Sequence, residues 1–127
     1  MRRGEVWWAR GDTEFPVVLL SGEESPEEFR AVQIVAPATE AQKHGFVVLS
    51  AQAAADAVPG DGIEVFLGPA EGLGRAGVVR VALPHPDRIF CTWQLTVAPD
   101  DLVERAGTLS AAKLAELEIA VRLSGIE

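Results

Sequence analysis

RRGEVWWARGDTEFPVVLLS, residues 2–21, is the stretch on which the reading of the fold turns. Two runs of β-branched and aromatic residues, Glu5 to Ala9 (EVWWA) and Pro16 to Leu20 (PVVLL), flank a six-residue polar insert, Arg10 to Phe15. Gly11 and Asp12 give that insert turn chemistry, so the stretch predicts an antiparallel hairpin. Pro16 fits the start of the second strand, where a missing N–H costs the ladder nothing. Trp7 and Trp8 are adjacent on an extended strand and must point to opposite faces. The insert has two readings: a solvated turn, or a chemical site in which Arg10 acts with Asp12 or Glu14.

Outward from the hairpin, nearly everything before Pro99 reads as short strands and turns. Ala31 to Ala36 (AVQIVA), Phe46 to Leu49, Ile63 to Leu67, Gly77 to Leu83 (GVVRVAL) and Cys91 to Val97 (CTWQLTV) carry β-branched residues between Gly, Pro and Asp boundaries. Ala51 to Ala57 suggests a helical turn, and Pro99 to Arg105 (PDDLVER) a second one. Beyond that the period changes. Ser110 is an N-cap candidate, Leu114, Leu117, Val121 and either Ile119 or Ala120 form a helical stripe, and Gly125 stands where a helix would stop. The predicted class is α+β, mainly β: antiparallel strands coiled into a small barrel, one side closed by a C-terminal helix.

At 127 residues the chain is the size of one domain, expected to span residues 1–127. No apolar run approaches the roughly 18 residues needed to cross a bilayer, and the basic start meets Gly4 and Glu5 before any signal-type apolar region. Cys91 is the lone cysteine, which excludes an internal disulfide and suits a reducing cytoplasm. The expectation is a cytoplasmic protein without a membrane partner. The formal charge is −8, from 11 basic and 19 acidic side chains, and works against a polyanion held by bulk charge. Yet nine of the basic residues are Arg, and acidic residues gather in runs such as SGEESPEE, so a local arginine patch is compatible with that balance.

Four stretches resemble the PemK/MazF toxins: RRGEVWW, PVVLLS, AVQIVAPAT, and TWQLTVAPDDLVERAGTLSAAKLAELEIAVRLSG. The likeness covers both ends of the chain and loosens over roughly Gln42 to Arg88. It implies an SH3-like barrel that cleaves single-stranded RNA without a metal or other cofactor, pairs as a homodimer and is held off by an antitoxin. Such cleavage requires a ribose 2′-hydroxyl to attack the adjacent phosphate. The site must remove one proton, donate another and stabilise extra phosphate charge. The resemblance places the hydroxyl residue of the site on Thr39. Where such toxins have an arginine before the second-strand proline this chain has Phe15, and the preceding loop is shortened. Phe90, Thr92 and Leu95 stand on the last strand where Arg, acidic and Arg residues are common. Glu5 matches the acidic residue of the opening motif, where it serves to order neighbouring hydrogen bonds.

Arg10, at the other end of the shortened insert, is the candidate to replace the absent arginine, with Thr39 beside it as the second catalytic candidate. Arg75 and Arg88 are candidates for phosphate contact, against the alternative that they and Arg80 pair with carboxylates. Trp93 is a candidate for stacking on a base, a contribution of about 1–3 kcal/mol where it occurs, as is whichever of Trp7 and Trp8 is not packed in the core or against a dimer partner. His44, His85, Asp87 and Cys91 show no zinc-ligand spacing, so no metal site is expected. LGPAEGLGRAG lacks the Lys and Ser/Thr of a phosphate loop. Two functions remain: an endoribonuclease toxin, or the same barrel used as a binding module for an antitoxin-like protein or a nucleic acid.

Overall fold

The computed structural model describes residues 2–21, 28–37, 39, 48–56, 58, 61–83 and 94–124. The strands are β1 (Glu5–Ala9), β2 (Phe15–Leu19), β3 (Phe29–Gln33), β4 (Val48–Ser50), β5 (Gly62–Leu67), β6 (Gly77–Ala82), β7 (Gln94–Val97) and β8 (Leu102–Thr108). Short 3-10 turns cover Ala51–Asp56, Pro69–Glu71 and Pro99–Asp101, and the α-helix α1 covers Ala111–Ser124. Five strands form one sheet in the order β7-β3-β2-β1-β8, and three form a second in the order β4-β5-β6. Among the described residues every pairing is antiparallel except β4 with β5, which is parallel. The expected architecture, mainly antiparallel strands with a C-terminal helix, is therefore what the chain adopts.

The opening hairpin pairs Trp8 with Pro16 and Ala9 with Phe15. That register puts Trp8 on the face toward the main core and Trp7 on the face toward a second apolar cluster. The main core lies between the sheets and under α1. It unites Val6, Val18, Leu20, Val32 and Ile34 with Ile63, Val65, Val79 and Val81, and with Leu117, Ala120 and Val121 of the helix. Each buried Val, Leu or Ile side chain contributes about 1.5–3 kcal/mol on burial. Of the two residues left open for the helical stripe, Ala120 is buried and Ile119 is exposed. Ser110 caps the helix as expected, its hydroxyl accepting the Lys113 N–H at 3.2 Å. The Gly125 stop, Phe46, and Cys91 to Trp93 lie outside the described residues.

One expectation is corrected. Pro99 to Arg105 is not a helical turn throughout: the 3-10 turn ends at Asp101, and Leu102–Thr108 is β8, paired antiparallel with β1. Leu102 has extended backbone (φ −91°, ψ 114°), and the ladder with Glu5–Ala9 overrides the local helical tendency of the sequence. The pairing is irregular, with register shifts between Val6 and Trp7 and between Trp8 and Ala9.

The two sheets meet at the end of β3. Val35 forms an isolated antiparallel bridge to Val78 of β6, each N–H donating to the other's carbonyl, at 2.9 and 2.8 Å. Gly77 permits the approach, since a Cβ there would sit 2.6 Å from Ile34 Cγ2. Among the described residues no helix is long and apolar enough to cross a membrane.

Candidate functional site

Strand direction gathers the candidates at one end of the larger sheet. β1 ends at Ala9, β2 begins at Phe15, and β3, antiparallel to β2, ends at Gln33 opposite Val17. Arg10, Phe15 and the segment leading through Pro37 to Thr39 therefore leave the sheet at the same end. At that end a cavity of about 420 Å³ opens between β2, the continuation of β3 and the loop before β6. Trp8, Pro16, Ile34, Val35, Ala36 and Arg75 are among its lining residues. Trp8 is half-buried and packs its other surface on the main core, so it presents a fixed aromatic wall. Arg75 is exposed, is the one charged residue of the lining, and has no ion-pair partner among the described residues.

Arg10 and Thr39 flank this cavity in sequence, two residues beyond Trp8 and three beyond Ala36, and neither lines it. Arg10 is exposed and its backbone N–H donates to the Asp101 carbonyl at 2.7 Å, which ties the insert to the turn before β8. Asp12, Glu14, Asp100 and Asp101 are exposed at this end too, giving Arg10 an acidic setting. Thr39 is exposed and has an interaction of its own. Arg88 and Trp93 lie outside the described residues, as do His44, His85, Asp87, Phe90 and Thr92.

Phe15 faces away from the cavity. Its ring packs with Ala9, Val17, Phe29 and Leu102 in the second apolar cluster, because residue 15 alternates with Pro16, which does line the cavity. Arg80 divides the arginine candidates in the way pairing with carboxylates implies. Its Nε and Nη2 donate to Glu64 Oε2 at 3.1 and 3.0 Å, and Nη2 also donates to the Ala36 carbonyl at 2.8 Å. That last bond reaches the cavity wall, and nothing in the spacing of the sequence announces it.

Glu5 is buried at the other end of the same hairpin. Its Oε1 accepts the Arg2 N–H at 2.8 Å and the Trp7 indole N–H at 3.1 Å, and its Oε2 accepts from Arg105 Nη1 at 3.2 Å. Burial works to raise its pKa, but the bonds from Trp7, Arg2 and Arg105 outweigh it and hold the carboxyl below its ordinary value. The acidic residue of the opening motif thus orders hydrogen bonds that join the start of the chain to β8.

The fold these strands define is that of the MazF-type toxins. The chain superimposes on the Mycobacterium tuberculosis toxin MazF-mt6 with a TM-score of 0.60 at 17% identity, over 96% of each chain. It also matches an endoribonuclease solved in complex with its cognate antitoxin from a mycobacterial species, with a TM-score of 0.58 at 16% identity, over 98% of this chain and 91% of that one. No protein-family model matches the sequence, and no curated protein matches it at the sequence level.

Proposed function

We propose that this chain is a PemK/MazF-like toxin, a metal-independent endoribonuclease of the cytoplasm that acts on single-stranded RNA as a homodimer and is restrained by an antitoxin-like protein. The observation that carries the reading is the cavity at the seam of the two sheets. It offers an aromatic wall, Trp8, and an ion-pair-free cation, Arg75, among the described residues, next to the segment that bears Thr39. An aromatic face beside a guanidinium suits one nucleotide: the ring takes the base and the guanidinium takes the phosphate.

In this reading Arg10 stabilises the charge that develops on the phosphate as the 2′-hydroxyl attacks. The Thr39 hydroxyl hydrogen-bonds a phosphate oxygen, Asp12 or Glu14 on the same insert removes the 2′-proton, and the P–O5′ bond breaks to leave a 2′,3′-cyclic phosphate and a 5′-hydroxyl that takes its proton from water. Arg75, Arg88 and Trp93 hold the strand. The test is incubation with a long RNA in EDTA, comparing wild type with Arg10→Ala and Thr39→Ala. Wild type should cleave, and removing either charge- or hydrogen-bond donor should lower kcat by about 10²–10³-fold. Cleavage that survives both changes would reject this site.

One observation favours a second reading, a binding module for an antitoxin-like protein or a nucleic acid. Phe15 stands where the resemblance puts an arginine, and its ring is committed to the apolar cluster on the other face. Binding of RNA without cleavage under the same conditions would select this reading.

A further inference from the structure

We infer that Arg80, held by the buried carboxylate of Glu64, is a positioning residue for the segment that carries Thr39; the inference rests on the RNA-cleaving reading, in which Thr39 acts. Glu64 on β5 lies directly opposite Arg80 on β6 and is 2% exposed. Two guanidinium nitrogens bind the same carboxylate oxygen, which fixes the plane of the guanidinium. With the plane fixed, the remaining Nη2 hydrogen points to the Ala36 carbonyl.

A buried ion pair is weak support for stability, since well-packed apolar residues in its place are often neutral or stabilising. An apolar pair cannot, however, donate to the Ala36 carbonyl. That carbonyl is the last anchored group before Pro37, the Val35–Val78 bridge having ended one residue earlier. Pro37 has a ring-fixed φ of about −65°, which narrows the directions the chain can take as it leaves Ala36. The pair thus adds a side-chain anchor at Ala36 to the backbone bonds that hold Ile34 and Val35.

Arg80→Lys separates aim from stability. An ammonium still neutralises Glu64 but lacks the planar fork that reaches the carboxylate and the carbonyl together. The expected result is an unfolding midpoint like that of wild type, unchanged KM for RNA, kcat lower by roughly 10–100-fold, and a displaced Thr39 amide resonance. Glu64→Gln keeps an acceptor for Arg80 and should retain most of kcat. Arg80→Lys with wild-type kcat and an unmoved Thr39 resonance would overturn the inference, as would a kcat loss that merely follows the unfolding midpoint across Arg80→Lys, Arg80→Met and Glu64→Gln. Should wild type fail to cleave RNA, the catalytic reading falls by itself. The Thr39 resonance in Arg80→Lys then decides the positioning role alone: displacement supports it and no displacement refutes it.

Discussion

Glu5→Gln removes a charge without changing the size of the side chain of a residue that is 7% exposed. The amide oxygen can still accept from the Arg2 N–H and the Trp7 indole, but its NH2 then faces the Arg105 guanidinium, donor against donor. A hydrogen bond to a charged group contributes about 1.5–3 kcal/mol, but the Arg105 side chain is 57% exposed, so that partner belongs near the 0.2–1 kcal/mol of solvent-screened pairs. Weakening the two retained bonds from charged to neutral acceptor adds about 1 kcal/mol, for a total of about 1–2 kcal/mol near pH 7. The sign with pH follows from the lowered pKa. In the unfolded chain the carboxyl titrates near the ordinary glutamate value of about 4.3 and in the folded chain below it, so the unfolded state binds the proton first on acidification. The stabilisation is complete above that value and is lost as pH falls through the lower folded one. Urea unfolding followed by tryptophan fluorescence should show a gap between wild type and variant that is constant from neutrality down to about pH 5.5 and narrows below about pH 4. No gap at neutral pH, or one that keeps its size in acid, would refute the assignment of the stabilisation to the carboxylate charge.

Gly72→Ala should destabilise by several kcal/mol, on the order of 3 or more, because the residue has φ +87° and an added Cβ would collide with the Ala106 carbonyl of β8; thermal unfolding of the purified variant measures it. Leu117→Ala, fully buried between α1 and the sheets, should cost about 2–5 kcal/mol in urea unfolding without changing the sheet signature in circular dichroism. Arg75→Ala should weaken RNA capture in filter binding about equally across sequences and reduce the salt slope by about one, the signature of a lost phosphate contact.

The parts of the fold written locally were legible in the sequence. The hairpin of β1 and β2 announces itself through two apolar runs around a Gly-Asp turn, and α1 through a serine cap and a periodic stripe. β8 was not, because its residues do not alternate: Val103, Glu104 and Arg105 are all exposed, and the strand exists only by pairing with β1 at the far end of the chain. The parallel pairing of β4 with β5 is equally silent, since period-two patterning does not encode strand direction. Of the candidate site, residue type and resemblance offer Arg10, Thr39 and Arg75 as candidates, and of these Arg75 lines the cavity. Their relation to Trp8 was not legible, as the cavity is assembled from the first two strands, the continuation of the third and the loop into the sixth. The Arg80 clamp is visible only once Glu64 and Arg80 are known to face one another.

The contact between Glu5 and Arg105 closes a loop of 100 residues. A nascent chain can build the first hairpin as soon as its residues emerge, but β1 keeps one unsatisfied edge until Leu102–Thr108 has been synthesised. Such long-range closure slows folding and leaves Trp7 and Trp8 without their final neighbours until β8 has emerged. A chain interrupted before β8 would therefore expose a sticky, half-finished sheet, and completion of the barrel becomes a checkpoint that only molecules extending through β8 can pass.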